Sequence, residues 1–254
     1  MHDDPTAAFA SLVARAGDEL PLDEAALLIA AHARPGLDVA AEQAALDDLA
    51  AGVADPSLTG VCAHLVELGF AGDRETYHDP DNSLLPAVLA RRRGIPLTLA
   101  VVAMEIGRRV GVPILGVGMP GHFLIRSADD ERTFVDLFHG GRELDVEGCR
   151  AVFERLSTGL AWSEAHLRPT PPVPIVARLL ANLANAYRRN GDRRALCWAF
   201  ALRTLLPGVT AQERREMAVV LGSAGRYTEA AAVLEASGQE RDAVSAQRLR
   251  ARLN

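Results

Sequence analysis

His122 and Asp136 are residues of two types that can act together in catalysis when they lie side by side. Each belongs to a segment in which apolar and polar residues alternate, residues 122–127 and 132–138, and this alternation predicts two neighbouring antiparallel strands. On such strands the carboxylate would accept a hydrogen bond from one ring nitrogen and direct the other toward a reacting group. The pair would serve as a general base and its orienting partner, provided that a nucleophile lies beside it.

Thr98 carries a hydroxyl group that His122 would activate, in the first turn of a helix predicted over residues 97–110. A threonine in that position more often bonds back to a main-chain carbonyl. Cys62, in a helix predicted over residues 57–68, has apolar neighbours that predict a buried, inert thiol. Thr98 and water therefore remain as the alternatives for a nucleophile.

Four segments around these residues resemble those of the SirB family of bacterial proteins: YHDPDNS (77–83), RRRGIPLTL (91–99), PGHFL (120–124) and VDLFHGG (135–141). The resemblance covers nearly the whole chain. It implies a transglutaminase-like core, of the papain-like superfamily, followed by tetratricopeptide-like helices. It also implies that Gly94, His122 and Asp136 match a catalytic pattern in which the nucleophilic cysteine is replaced by Pro96.

A proline supplies neither a thiol nor a main-chain N–H. The resemblance therefore implies a protein- or peptide-binding module that has lost its nucleophile. The alternative function is a hydrolase or acyl transferase that uses Thr98 or water with His122 and Asp136. Asn82, Arg93, Pro96 and His139 are the further candidates for lining the cleft.

Asn82 and Arg93 each have two interpretations. Asn82 lies in a polar segment, residues 79–83, that would form a turn and cap the following helix, or lie at the rim of the cleft. Arg93 ends the run 91–93 at the last turn of a predicted helix, where positive charge offsets the helix dipole. In the second interpretation, the arginines of this run bind an anion or an acidic partner.

A metal site is a third alternative. It would require at least three converging side chains, drawn from the following set of histidines and aspartates: His78, Asp79, Asp81, His122, Asp136 and His139. No short ligand spacing supports it, so the sequence predicts neither a metal ion nor another cofactor.

Composition excludes several classes of protein. The 254 residues are 49% hydrophobic and carry a net charge of −6, with 27 basic residues interspersed among 33 acidic ones. This predicts a folded protein without the broad positive surface that nucleic acids bind. No stretch approaches the roughly 20 apolar residues of a membrane span, and the first residues lack a basic signal region. We expect a cytoplasmic protein with three reduced cysteines.

The elements that must position the site are predicted from hydrophobic periodicity. Helices are expected over residues 22–33, 39–53, 57–68, 84–93 and 97–110, and strands over 114–118, 122–127 and 132–138. The predicted fold class is α+β: a helical N-terminal region and a central helix packed on an antiparallel sheet, followed by an all-α region.

The domain boundary is expected at a proline-rich connector, residues 168–174, which separates a core of residues 1–167 from a helical region of residues 175–254. In the second part, residues 190–195 and 225–230 align at an offset of 35 residues, close to the tetratricopeptide period. We expect these helices to dock on the core or to bind a partner.

Overall fold

The computed structural model describes residues 4–253 and confirms the α+β class. The outermost residues of the two predicted domains, 1–3 and 254, lie outside the described residues. The chain begins with four helices: α1 (Pro5–Ala16), α2 (Leu22–Ala33), α3 (Val39–Ala51) and α4 (Leu58–Glu67). The Asp38 carboxylate and the Ser57 hydroxyl accept hydrogen bonds from first-turn amides of α3 and α4, which explains where these two helices start.

Two helices follow, α5 (Leu85–Arg91) and α6 (Pro96–Arg109). Arg92 adopts a left-handed conformation with φ of 56°, and this ends α5 two residues before the predicted limit. The next two residues form a short strand, β2 (Arg93–Gly94), which pairs in parallel with β1 (Ala71–Gly72). Pro96 occupies the first position of α6, where its missing N–H removes no hydrogen bond.

An antiparallel sheet packs on α6. Its strands are ordered along the chain: β3 (Ile114–Val117), β4 (Leu124–Ser127), β5 (Phe134–Asp136) and β6 (Arg142–Leu144). Alternate side chains point to opposite faces, so that Ile125 joins the core around α6 while Leu124 contributes to a second cluster with α7 (Val146–Leu156). The sheet is therefore covered by helices on both faces.

The predicted strands around the site are too long. His122 precedes β4 in a turn, where its amide donates to the carbonyl of Met119 and Gly121 has φ of 78°. Asp136 ends β5, and a 3-10 turn (Leu137–His139) follows. This turn forms because the Asp136 carboxylate accepts from the His139 amide at 3.2 Å. The strand β6 was not predicted.

The remaining chain is helical, with α8 (Pro172–Asn190), α9 (Arg193–Leu205), α10 (Ala211–Ser223), α11 (Tyr227–Glu235) and α12 (Glu240–Arg250). The predicted extended connector is shorter than expected, because α8 begins at Pro172 and the first turn of a helix tolerates proline. The apolar faces of α8 and α9 join the main core, whereas α10 to α12 pack largely around a small alanine-rich cluster. The division into two domains and the tetratricopeptide assignment stay predictions.

Among the described residues, no helix combines the length and the apolar composition that a bilayer crossing demands.

Candidate functional site

His122 and Asp136 are brought together at one end of the sheet. The Nε2 atom of His122 lies 2.8 Å from Oδ2 of Asp136, which is a hydrogen-bond distance. Both residues are buried: His122 exposes 4% of its surface to solvent and Asp136 exposes 1%. His122 reaches this place from the turn before β4, and Asp136 from the last position of β5. The bond holds the imidazole with Nδ1 as its remaining nitrogen, which is the orientation that base catalysis would need.

His139 is the third member of this cluster. Its Nδ1 lies 2.7 Å from the same Oδ2 atom of Asp136, and its ring is about one third exposed. Burial opposes ionisation of Asp136, but the hydrogen bonds from the two imidazoles outweigh it and hold the pKa of this carboxyl below its usual value. Asp136 is therefore an anion at neutral pH.

The same three residues could hold a metal ion. Each offers one ligand atom, and these atoms lie within 4.8 Å of one another, which meets the requirement of three converging side chains. The carboxylate already accepts a hydrogen bond from each imidazole, so hydrogen bonding alone accounts for the arrangement. Asp79 and Asp81, two other residues of the predicted set, instead lie 3.7 Å from the guanidinium of Arg91.

An aromatic layer covers the cluster. The Phe138 ring packs edge-on against His122, with ring centroids 6.3 Å apart, and against Tyr77 at 5.8 Å. The Phe138 ring also lies against Gly72, where a Cβ atom would come within 2.3 Å of it. Only glycine allows this approach.

Thr98 makes no hydrogen bond to the His122 ring. Its hydroxyl is buried and donates to the carbonyl of Asn82 at 2.6 Å, with the carbonyl of Ile95 at 3.1 Å. Within residues 4–253, no hydroxyl or thiol group makes a hydrogen bond to that ring. Cys62 is likewise buried, and desolvation raises the pKa of its thiol to about 12.

Asn82, predicted either to cap a helix or to lie at the rim of the cleft, is fully enclosed. Its carboxamide nitrogen donates to the Asp73 carboxylate at 3.2 Å and to the carbonyl of Thr76 at 2.7 Å. Its side-chain oxygen accepts from Arg91, which also binds Asp73 at 3.2 Å. Because these groups surround it, Asn82 offers no surface to a ligand, and it connects the loop 73–83 to the start of α6.

Arg93 is exposed and serves a helix other than the predicted one. Its guanidinium donates to the carbonyl of Gly69, and Arg92 donates to that of Leu68 at 2.6 Å. These carbonyls follow the end of α4, so the two arginines neutralise the C-terminal end of α4 rather than that of α5. Pro96 is buried at the start of α6.

A pocket of about 550 Å³ opens beside Ile95, the residue before Pro96. One wall is the loop that carries Tyr77 and His78. The opposite wall is the polar face of α8, formed by Asn182, Asn185, Arg188 and Arg189. We call this space the α8 pocket. Sequence reasoning did not identify it, because its walls are about 100 residues apart in the chain.

Arg178, also on α8, is a further residue that sequence reasoning missed. Its guanidinium donates to the carbonyls of His122 at 2.8 Å and Met119 at 3.2 Å, and its Cζ lies 5.4 Å from the centroid of the Phe123 ring. Desolvation lowers the pKa of this group. A signal was present, because Arg178 is the one charged residue between positions 169 and 187. Through it, α8 positions the main chain of His122.

Comparisons with known proteins agree with this architecture. Residues 31–181 match the family model of the transglutaminase-like superfamily. The chain is 38% identical over 200 residues to a UPF0162 protein of Xylella fastidiosa (strain 9a5c), which covers 71% of this chain and 70% of the relative. It is 34% identical over 195 residues to a UPF0162 protein of Pseudomonas aeruginosa, and this alignment covers 76% of this chain and 69% of the relative.

A more distant similarity links the chain to human F-box only protein 21, at 27% identity over 134 residues, which covers 49% of this chain and 20% of the F-box protein. No solved structure matches the chain.

Proposed function

We propose a function from the premise that this chain belongs to the transglutaminase-like superfamily. The proposal is that the chain is a member without a catalytic nucleophile and acts as a protein- or peptide-binding module. The observation that carries the proposal is the start of α6. Pro96 has no atom that could attack a carbonyl, and the Thr98 hydroxyl donates to main-chain carbonyls. Since no hydroxyl or thiol group of residues 4–253 hydrogen-bonds to the His122 ring, the His122–Asp136 pair has no neighbouring nucleophile there to activate.

The α8 pocket supports the binding part of the proposal. Its volume of about 550 Å³ lies within the range of specific ligand sites, roughly 300–1,000 Å³. Its walls mix polar side chains with the apolar groups of Ile95 and Ala186. A groove of this composition can bind a short extended peptide through main-chain hydrogen bonds and a few side-chain contacts.

The narrower assignments are part of the proposal as well. We propose that the chain is a SirB-family protein and that α8 to α12 are tetratricopeptide-like. The 35-residue offset supports the second assignment, and so does the succession of antiparallel helix pairs, since α8 packs on α9 and α10 on α11. Helices of this kind often supply a partner-binding surface.

A hydrolase or acyl transferase remains the second candidate function, and one observation favours it. The His122–Asp136 pair is formed, and the Nδ1 atom of His122 makes no hydrogen bond within residues 4–253. That nitrogen could take a proton from a water molecule if substrate opened the aromatic layer.

A peptide library tests the two functions against each other. Wild-type protein is used to select peptides from a displayed library, and mass spectrometry then examines both the selected peptides and the protein. We expect retained peptides of unchanged mass and a protein without a covalent adduct. Cleaved or transamidated peptides that disappear with His122→Ala, but persist with Arg132→Gln, would refute the proposal. Arg132 is a suitable control because it is exposed in the turn between β4 and β5, at the far end of the sheet from His122.

A further inference from the structure

We infer that the α8 pocket binds a peptide segment that carries carboxylate side chains. The inference rests on the proposed function, because it names the ligand chemistry of the proposed peptide site. Its basis is a set of hydrogen-bond donors and positive charges that, among the described residues, have few acceptors and no carboxylate partner.

The donors on α8 share one face of the helix. Asn182, Asn185 and Arg189 are spaced by three and four residues, so their side chains lie above one another along the pocket. The opposite face of α8, with Leu179 and Leu183, is buried in the core. Because packing holds that apolar face in place, the polar face is presented at a fixed position and orientation.

These donors have few acceptors within the protein. The side chains of Asp18 and Leu253 aside, Arg189 makes no hydrogen bond or ion pair with any residue of the described range 4–253, and the same holds for the side chains of Asn182 and His78. Arg188 donates to a neutral acceptor, Oδ1 of Asn185, at 3.0 Å. The Cζ atom of Arg188 also lies 5.8 Å from the centroid of the Phe200 ring. Two arginines thus line the pocket without a carboxylate partner among the described residues, and an arginine pairs with a carboxylate more strongly than with a neutral acceptor.

The acidic residue that lines the pocket already has partners of its own. Asp79 is the one acidic residue among the described residues that line the pocket. Its Oδ1 accepts from the amide of Asp81 at 2.9 Å, and its Oδ2 lies 3.7 Å from Arg91. Arg188 and Arg189 therefore give the pocket a positive charge on a chain whose net charge is −6. Charge complementarity selects an anionic ligand here and disfavours one over most of the remaining surface.

The shape and the remaining groups favour a peptide over a small anion. A single carboxylate or phosphate would occupy a small part of about 550 Å³. The carboxamides of Asn182 and Asn185 carry both donors and acceptors, which suits peptide groups. Ile95 and Ala186 add apolar surface for intervening side chains. The ligand that fits is an extended segment with two neighbouring carboxylates.

Fluorescence anisotropy with labelled 12-residue peptides tests this inference. Three peptides share one apolar framework and differ at two neighbouring positions, which carry Glu, Gln or Lys. We expect the Glu peptide to bind the full-length chain more tightly than the Gln peptide and the Lys peptide to bind most weakly. The preference for Glu should shrink as salt is raised, because salt screens exposed charges.

A double variant, Arg188→Gln with Arg189→Gln, should weaken binding of the Glu peptide about tenfold and leave the Gln peptide little changed, since each exposed ion pair contributes modestly. Both arginines are exposed, so the variant should fold, and circular dichroism verifies this. Arg132→Gln removes one exposed positive charge far from the pocket and should not change the affinity.

Each outcome decides between the inference and the proposal beneath it. Equal affinity for the three peptides would overturn the inference while the peptide-binding proposal stands. Absence of binding to any of them, together with an empty library selection, would overturn both. Displacement of the Glu peptide by inorganic phosphate at equimolar concentration would also overturn the inference, because it would indicate a site for small anions.

Discussion

Two polar clusters, each with one partly exposed member, differ in how fully their hydrogen-bonding groups are used. Around Asn82, the carboxamide, the Asp73 carboxylate and the Arg91 guanidinium bind one another and nearby main-chain groups. Around Asp136, the carboxylate is also satisfied, but His122 keeps one nitrogen that no described residue binds. We call the first cluster closed, because its hydrogen-bonding groups bind one another, and the second open, because one of its ring nitrogens has no partner among the described residues.

This difference distinguishes polar side chains that stabilise the fold from polar side chains that can bind a ligand. A buried network in which every member has a partner stiffens the fold, and removing one member leaves the others unsatisfied in a medium of low polarity. An open cluster keeps groups that can still interact with something from outside. Residue types alone do not distinguish the two, since both combine a carboxylate with nitrogen donors.

Asn82→Ala gives the largest expected effect and tests the closed cluster. The change leaves Asp73 and Arg91 with unmade hydrogen bonds, and we expect it to lower the free energy of unfolding by about 3 kcal/mol. Urea denaturation at pH 7 measures this. The control is Asn182→Ala, whose carboxamide lines the α8 pocket, with an expected change within about 0.5 kcal/mol. Similar losses for the two variants would contradict the structural role of the buried Asn82 carboxamide.

Asp136→Asn should have an intermediate and pH-dependent effect. Because the pKa of this carboxyl is lower in the folded chain than in the unfolded one, its ionisation stabilises the fold above the unfolded pKa, about 3.9. That contribution is lost as the pH falls from there through the folded pKa. We expect Asp136→Asn to cost about 2 kcal/mol between pH 5 and 7. The difference from wild type should shrink below pH 4.

Urea denaturation at pH 7, 5, 4 and 3 follows this difference. A gap between wild type and Asp136→Asn that stays constant down to pH 3 would mean that the carboxylate is not held ionised by the two histidines. The open cluster would then be a packing feature only.

Pro96→Cys should give the smallest effect and tests whether the open cluster faces the start of α6. If the His122 imidazole faces position 96, a thiol at this helix N-terminus should have a pKa about one unit below the usual 8.5. The pH dependence of its reaction with iodoacetamide measures that pKa. Adding His122→Ala should raise it. If it stays the same, His122 does not act on position 96, and the interpretation of a lost active site fails.

Much of the helical fold was predictable from local signals. The limits of α2 match the prediction because its apolar residues repeat regularly, and α6 matches to within one residue because Pro96 marks its start. The pair β1 and β2 was not predictable, since two residues carry no periodicity and the pairing joins Ala71 to Arg93. The same holds for β6, which has three residues.

The site was predictable in part. The resemblance to a known family pointed to His122 and Asp136, and composition and spacing alone would not have selected them. The burial of Asn82 depends on contacts with the loop before it and with α5, and the contact of Arg178 with His122 spans 56 residues. Such packing is not encoded in any local pattern. For Arg93, the local pattern indicated the end of α5, whereas its guanidinium lies at the end of the preceding helix, α4.

The contact between Phe138 and Gly72 limits how this protein can diverge. A phenyl ring at 138 occupies the space that any side chain at 72 would need. A lineage that accepts alanine at 72 must first replace the ring with something smaller, and in doing so it would uncover His122. Positions 72 and 138 should therefore change together among relatives, and that joint change would record whether the cover over the imidazole has been kept or discarded.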